Sequence, residues 1–147
     1  ERFAFHHTGH TFKHPPFWEE VGVDQSRVTL YPMVSPTKIP LMLVFDVGIA
    51  PLTDIPFNHA KSWIKPLEYV AAGIPFVASK SPEYKRFQKR YGIGRFANKA
   101  ADWIKHFNSL SNPELRQSEA LANREAVRSL DVRQGALRLT QILESIV

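Results

Sequence analysis

The chain has no cysteine among its 147 residues, and that absence excludes several kinds of chemistry at once. Without thiols it forms no disulfide bond and no thiolate metal site, and it has no cysteine nucleophile. A membrane-spanning helix requires about 20 consecutive apolar residues, and every apolar run in the sequence is much shorter than that. The sequence also lacks a P-loop and a G-x-S-x-G motif, which argues against P-loop nucleotide hydrolases and serine hydrolases of that type.

The residues that are present have the composition of a soluble globular protein. Apolar residues make up 44% and charged residues 22% of the sequence, as in ordinary folded domains. A chain of this length can bury a real core. We therefore predict one domain over residues 1–147, with an α/β part at 1–98 and closing helices at 99–147. The sequence opens directly in an apolar stretch at residues 3–5, so we also expect a piece of a longer protein.

The positive charge is concentrated in one segment. Residues 80–95 contain six basic residues and one acid, so their net charge of +5 equals that of the whole chain. The simplest interpretation is a solvated helix face. Binding of nucleic acid, acidic lipid or a phosphorylated ligand is the alternative, although the segment lacks the aromatic stacking pattern of a nucleic-acid binder.

Hydrophobic periodicity predicts alternating strands and helices. The predicted strands are 2–8, 28–31, 46–52, 74–78 and 95–97, and the predicted helices are 17–22, 38–44, 61–72, 82–91, 100–110, 113–130 and 132–146. Alternation of this kind is typical of an α/β fold with a parallel, Rossmann-like sheet. The apolar strand 46–52 is expected to be buried on both faces, and the closing helices are expected to pack on the flank of the sheet.

The candidate site follows strand 46–52, because ligands of open α/β sheets bind beyond the carboxyl ends of the strands. After the loop 53–60, a helix starting at Lys61 would place Lys61, Lys65, Glu68 and Ala72 on one stripe. Its opposite side would carry the residues that face the core: Trp63, Pro66, Leu67 and Val70. The plain interpretation is an amphipathic helix whose charged side faces water.

The electrostatics of the helix start favour a ligand instead. Two lysines in the first turns would oppose the helix dipole, at a cost of about a few tenths of a kcal/mol each. Together with free backbone N–H groups, Lys61 and Lys65 would suit a diphosphate. Glu68, one to two turns further on, could accept hydrogen bonds from the two hydroxyls of a ribose.

Three consecutive segments carry a resemblance to a known family. They read FDVGIAPL at 45–52, FNHAKS at 57–62 and KPLEYVAAGIPFVAS at 65–79. This pattern resembles the donor-binding motif of GT-B glycosyltransferases, with the retaining "glycosyl transferases group one" (family-four-like) as the best match, over residues 26–97. The resemblance implies a C-terminal, donor-binding Rossmann-like domain that is truncated at its N-terminus.

The same resemblance implies roles for individual residues. Glu68 matches the second glutamate of an E-x7-E motif and would bind the donor ribose, whereas the first glutamate is replaced by Ala60. The sugar contact would then fall to Lys61 or Asn58, or the sugar site is altered. The other implied donor-binding residues are Ser62, Trp63 and Ile64 at the diphosphate, with Tyr31 and Met33 at the base. Lys61 and Lys65 would act catalytically by stabilising the leaving diphosphate, so that no metal is required.

The implied function is transfer of a sugar from a UDP- or GDP-sugar donor to an unknown acceptor, as in hexosyltransferases of carbohydrate biosynthesis. The acceptor-binding N-terminal domain is missing, so we expect the isolated chain to be inactive. A cytoplasmic protein is expected, with peripheral membrane attachment left open. Two alternatives remain: a non-catalytic nucleotide-binding or assembly module, and a nucleic-acid-binding domain that uses residues 80–95.

Other polar and aromatic residues are interpreted structurally. The histidines at positions 6, 7, 10 and 14 lie in a predicted strand and the loop after it, with no acidic residue between them, so a metal site is not predicted. Asp46 is expected to be structural, whereas Asp54 either contacts ligand or caps a turn. The three tryptophans, Trp18, Trp63 and Trp103, are expected to be packing anchors.

Overall fold

The structure, a computed structural model, describes residues 3–8, 19, 22–38 and 43–146. It divides into two compact units, residues 1–45 and 46–147, which are taken separately below. The expectation of one domain over the whole chain therefore stays a prediction.

The first unit contains a pair of parallel strands. Strand β1 (Phe5–Thr8) pairs with β2 (Val28–Tyr31), with Phe5 opposite Val28, which confirms both predicted strands. A helix was predicted over residues 38–44. The structure has a 3-10 helix at Pro36–Lys38, and residues 43 and 44 are not helical. The prediction is therefore wrong at the end of this range that the structure describes. The predicted helix 17–22 lies mostly outside the described residues.

The second unit holds a three-stranded parallel sheet and its helices. Its strands are β3 (Gly48–Ala50), β4 (Phe76–Ser79) and β5 (Arg95–Ala97), arranged in the order β3-β4-β5. Its helices are α1 (Pro56–His59), α2 (Ile64–Ala71), α3 (Pro82–Tyr91), α4 (Ala100–Leu110), α5 (Pro113–Val127) and α6 (Val132–Glu144). The predicted helix 113–130 is thus interrupted, since Arg128–Leu130 forms a 3-10 helix after α5.

Alternation along β4 builds a core on each face of this sheet. Phe76 and Ala78 lie in one apolar cluster with Val70 of α2, Phe87 of α3 and Val127 of α5. The residue between them on β4, Val77, faces the other way and packs with Leu110, Trp103 and Phe107 of α4. The sheet is therefore covered by α2, α3 and α5 on one face and by α4 on the other.

Strand β3 is shorter and more exposed than expected. Gly48 and Ala50 are buried, but Ile49 between them is 36% exposed. The cause is that α4 packs mainly against β4, β5 and α5 and leaves Ile49 of β3 partly exposed. The prediction that strand 46–52 is buried on both faces is wrong.

The closing helices do not all pack on the sheet. α4 and α5 contribute buried residues to the two cores, but α6 contributes none. Its apolar residues, such as Val132 at 82% and Leu137 at 58% exposure, face outward within the described residues. The expectation that all three helices cover the flank is therefore wrong for α6. Over the part of the chain that is described, every helix is too short or too polar to cross a bilayer.

Candidate functional site

The carboxyl ends of β3, β4 and β5 lie along one edge of the sheet because the three strands are parallel. A hydrogen bond joins two of these ends, since the Leu52 N–H donates to Ser79 Oγ at 2.8 Å. The loop that leads to α2 emerges at this edge. The predicted site segment is therefore at the position where α/β sheets bind ligands.

The loop after β3 contains a short helix that the sequence pattern did not predict. α1 begins at Pro56, which suits the first turn of a helix because it needs no N–H there. Asn58 is 7% exposed, and its side-chain amide donates to Thr53 O at 2.9 Å. His59 Nε2 lies 2.6 Å from Asp54 Oδ1. Asn58 therefore stabilises the loop itself, and Asp54 pairs with a neighbour within it.

α2 begins at Ile64, three residues later than predicted, and Pro66 accounts for the difference. In a helix that started at Lys61, residue 66 would have to donate its N–H to Ser62 O, but proline has no N–H and its ring would collide with that carbonyl. The first bond instead runs from Leu67 N–H to Trp63 O, at 3.0 Å. Pro66 thereby lies in the first turn, where it is tolerated.

Lys61 consequently does not share a helical stripe with Lys65, Glu68 and Ala72, and that prediction is wrong. Lys61 lies in the turn between α1 and α2, where its ammonium is 5.2 Å from the centre of the Phe57 ring. Lys65 and Glu68 do share a face and form an ion pair of 2.8 Å. Of the two lysines, only Lys65 opposes the α2 dipole, and its ion pair with Glu68 compensates part of its positive charge.

The N-terminus of α2 has no side-chain cap, and its N-cap residue is Trp63. Side chains cap three of the helices that follow it: Ser81 for α3, Asn112 for α5 and Asp131 for α6. The N-cap residue of α4, Lys99, makes no side-chain cap bond either, although Asp102 accepts from the N–H groups of Asn98 and Lys99. The amides of Ile64 and Lys65 at the start of α2 therefore have no side-chain acceptor within the described residues. Such a terminus attracts anions.

The predicted core-facing side of α2 is confirmed. Pro66 and Val70 are buried, and Trp63 and Leu67 are partly buried against the same core. Trp63 packs on Phe87 with ring centres 6.0 Å apart, as expected of a packing anchor. Ser62 and Lys65 are exposed, and Ile64 is 57% exposed. Of the predicted ligand-binding residues here, Ser62, Ile64 and Lys65 therefore face solvent, whereas the Trp63 ring faces the core.

Sequence reasoning missed three residues that hold α2 in place: Gly48, Tyr69 and Arg124. Tyr69 donates from its hydroxyl to Ile49 O at 2.9 Å, and a Cβ on Gly48 would come within 2.4 Å of its ring. At the other end, Gly73 adopts φ +77°, which ends the helix in the left-handed conformation that glycine favours. Arg124 of α5 donates to Ala72 O at 2.9 Å. A glycine inside a strand was the available signal, since it often marks a close approach.

Burial changes the acidity of Tyr69 in α2 and of Tyr84 in α3. It raises the pKa of Tyr69 to about 12, and the negative charge of Glu68 contributes to the same shift. Burial also raises the pKa of Tyr84. Both phenols are therefore neutral at physiological pH.

The remaining predicted residues have mixed outcomes. Asp46 pairs with Arg116 at 3.1 Å, which confirms a structural role, and Trp103 packs on Phe107 at 5.9 Å. Tyr31 belongs to the first unit, where its hydroxyl lies 3.0 Å from His6 Nδ1. Met33 is 74% exposed in that unit, so the role of both residues at a base stays a prediction.

No metal site emerges from the part of the chain that the structure describes, because no group of three or more His, Asp or Glu could hold an ion there. His10, His14 and Trp18 lie outside the described residues. Two shallow grooves between α5 and α6 are lined by residues between 125 and 139. Neither groove includes the start of α2.

Comparisons with known proteins now add to this geometry. No known protein family matches the chain, and no curated protein sequence matches it. Among solved structures, it is similar to the crystal structure of WaaG, a glycosyltransferase involved in lipopolysaccharide biosynthesis, with a TM-score of 0.57 and 20% sequence identity. The match covers 77% of this chain and 30% of that chain. The likeness confirms the predicted fold class, a mixed α/β fold with parallel sheets and flanking helices that resembles a GT-B glycosyltransferase domain.

Proposed function

We propose that this chain is the donor-binding part of a retaining glycosyltransferase and binds a nucleotide-diphosphate sugar at the start of α2. The uncapped N-terminus of α2 at the carboxyl edge of a parallel sheet is the observation that carries this proposal. The fold likeness to a glycosyltransferase supports it, and so does the motif at Lys65–Ser79.

The diphosphate would lie against the amides of Trp63 and Ile64, with the hydroxyl of Ser62 beside them. Lys65 would contribute its ammonium, which the ion pair with Glu68 holds at the exposed face of the helix. Lys61 would approach from the turn before the helix. As the bond to the sugar breaks, these groups would stabilise the charge that grows on the leaving diphosphate, and no metal would be needed for that task.

The nucleoside would extend from the diphosphate toward Glu68. A carboxylate that accepts from both ribose hydroxyls makes charge-assisted hydrogen bonds, which are the stronger kind. In binding the ribose, Glu68 would exchange part of its contact with Lys65, which frees the ammonium for the phosphates. The base itself, uracil or guanine, is part of the test.

Ala60 bears on whether the chain takes part in sugar transfer or only binds a nucleotide. Where the family motif places a carboxylate for the sugar, this chain has a methyl group, and Asn58 beside it already donates to Thr53 O. This observation favours the second candidate, a module that binds nucleotide without transferring sugar. A transfer assay tests this: we expect no turnover by these 147 residues alone, and robust turnover would contradict the second candidate.

Titration calorimetry with UDP, GDP and ADP tests the donor site directly. We expect micromolar to millimolar binding of one of the three nucleotides. Lys65→Ala and Glu68→Ala are each expected to weaken it about tenfold, equivalent to about 1.4 kcal/mol. A matched control is Lys105→Ala, because Lys105 is exposed on α4, across the sheet from α2.

The proposal is wrong if none of the nucleotides binds, or if Lys105→Ala weakens binding as much as Lys65→Ala does. Salt-sensitive DNA binding in the absence of nucleotide binding would favour the nucleic-acid alternative at residues 80–95.

A further inference from the structure

We propose that the exposed side of α3 binds the surface of an anionic lipid membrane through charge alone, without insertion into the bilayer. The basic face of α3 is defined here as Lys85, Arg86, Lys89 and Arg90. None of these residues belongs to the proposed donor site, so the inference stands or falls independently of it.

α3 divides cleanly into a buried side and a charged side. Tyr84 is 3% exposed and Phe87 is fully buried, whereas all four residues of the basic face are exposed. Lys85 and Arg86 are adjacent, as are Lys89 and Arg90, and the second pair follows the first by four residues. The four side chains therefore lie together along two turns of the helix. The cations therefore form one continuous surface.

The charge of this surface is largely uncompensated. Arg86 pairs with Glu83 at 2.6 Å, and Arg90 lies 5.4 Å from the centre of the Tyr91 ring. Lys85, Lys89 and Arg90 form no ion pair within the described residues. By contrast, Arg95 is bound by Glu119 of α5. The positive charge that the sequence places at 80–95 is thus focused on α3.

Helix stability alone does not account for all four cations. Lys89 and Arg90 lie in the last turn, where a positive charge interacts favourably with the helix dipole. Lys85 and Arg86 lie further from that end, and each repels a cation one turn later, Lys89 and Arg90 respectively. A partner with negative charge would relieve this repulsion.

The shape and chemistry of the surface favour a planar membrane over nucleic acid. Proteins that bind single strands combine a basic groove with free aromatic side chains, but the aromatic residues of α3 lie in or against the core cluster. A cluster of about four or more Lys and Arg residues on a helix is typical of binding to anionic lipids. Because Phe87 packs on Phe76 in the core, α3 has no apolar face to insert, so attachment would rest on charge and be reversible.

Cosedimentation with phosphatidylcholine vesicles, with and without phosphatidylserine, tests this inference. We expect binding only to the vesicles that contain phosphatidylserine, and loss of that binding as salt is raised. The double variant Lys85→Glu with Lys89→Glu is expected to lower the partition coefficient about tenfold or more. Lys85→Gln with Lys89→Gln, which only removes charge, is expected to have a smaller effect in the same direction.

The matched control is Lys105→Glu with Arg138→Glu, which changes the net charge equally at exposed positions on α4 and α6. Equal losses in the control and the α3 variant would overturn the inference, because net charge would then explain binding. Binding to pure phosphatidylcholine would overturn it too. So would binding of a single-stranded oligonucleotide, but not of vesicles, that depends on Lys85 and Lys89.

Discussion

At the residue scale, the contact between Gly48 and Tyr69 determines how closely α2 approaches the sheet. The ring of Tyr69 lies over the position where any other residue at 48 would carry its Cβ, and its hydroxyl bonds to the carbonyl of the next residue, Ile49. The start of α2 is linked to this contact because Tyr69 and Ile64 belong to the same eight-residue helix. Loss of the contact would therefore displace the amides proposed to bind diphosphate.

Gly48→Ala is expected to destabilise the protein by about 1–3 kcal/mol, since the added methyl group overpacks a filled site. The nearest atom is Cγ of Tyr69, close to its backbone, so the side chain cannot easily move away. Chemical denaturation measures the effect. The control is Gly135→Ala in α6, where no atom lies within 4 Å of the new methyl group and the better helix former is expected to be neutral or stabilising. Equal effects of the two substitutions would contradict this account.

The raised pKa of Tyr69 predicts a loss of stability at alkaline pH. A tyrosine phenol exposed to water has a pKa of 10.0, whereas the pKa of Tyr69 in the folded protein is about 12, so between these values the folded protein binds more protons than the unfolded chain. Stability is then fully present below pH 10 and falls as pH rises through about 12, by an amount on the order of 2 kcal/mol. Denaturation at a series of pH values checks this.

Tyr69→Phe provides the comparison. It removes the hydrogen bond to Ile49 O, which is expected to cost about 1 kcal/mol at neutral pH. It also removes the titrating group, so the difference in free energy of unfolding between the wild-type protein and the variant is expected to shrink above pH 10. Burial raises the pKa of Tyr84 in both proteins, so its titration does not contribute to this difference. A constant difference between the two proteins across this range would contradict the assignment.

The candidate residues could be predicted only where local spacing decides their environment. The 3.6-residue period correctly separated Pro66 and Val70 from Lys65 and Glu68. Tyr69 was missed because its role depends on β3, which is about 20 residues away in sequence. Such contacts between distant segments leave no periodic signal.

At the element scale, α5 is the helix that ties the second unit together. Arg124 of α5 bonds to the end of α2, Glu119 binds Arg95 on β5, and Arg116 pairs with Asp46 just before β3. Its apolar side adds Val127 to the core. The helix therefore connects the sheet to the helix that carries the candidate site.

A double-mutant cycle at Arg95 and Glu119 is expected to give a coupling energy of about 1–2 kcal/mol, because the guanidinium contacts both carboxylate oxygens and both side chains are largely shielded from water. The cycle uses Arg95→Gln and Glu119→Gln with chemical denaturation. The pair Arg128–Glu125 is the control, since its side chains are 80% and 75% exposed and 3.7 Å apart. The coupling energy of this control pair is expected to be below about 0.5 kcal/mol. Similar coupling energies at both pairs would contradict the stabilising role proposed for the contact between α5 and β5.

Element boundaries show where sequence patterns were informative. α3 was predicted over 82–91 and is confirmed at both ends, because Ser81 caps its start and Gly92 follows its last residue. α2 was placed too early because hydrophobic periodicity does not reflect the restriction that Pro66 imposes on the first turn. α6 has the right period but no partner in the described residues, and periodicity alone does not reveal what a face packs against.

At the scale of the whole molecule, the parallel α/β class was predictable because strands and helices alternate in the sequence. The order of the strands and the faces covered by each helix were not, since they arise from packing between distant segments. The likeness to a glycosyltransferase structure at 20% identity is of the fold. The proposed function rests on the start of α2 and on whether a nucleotide binds there.

The most direct test of the donor site is therefore an amide NMR titration of the chain with UDP and with GDP. One of the two nucleotides is expected to shift the amide resonances of residues 62–65 most strongly, with smaller changes along α2 at Glu68 and little change on α4. Glu68→Ala should reduce these shifts at the same nucleotide concentration. No shift at residues 62–65 with either nucleotide, or shifts confined to α3, would contradict the account.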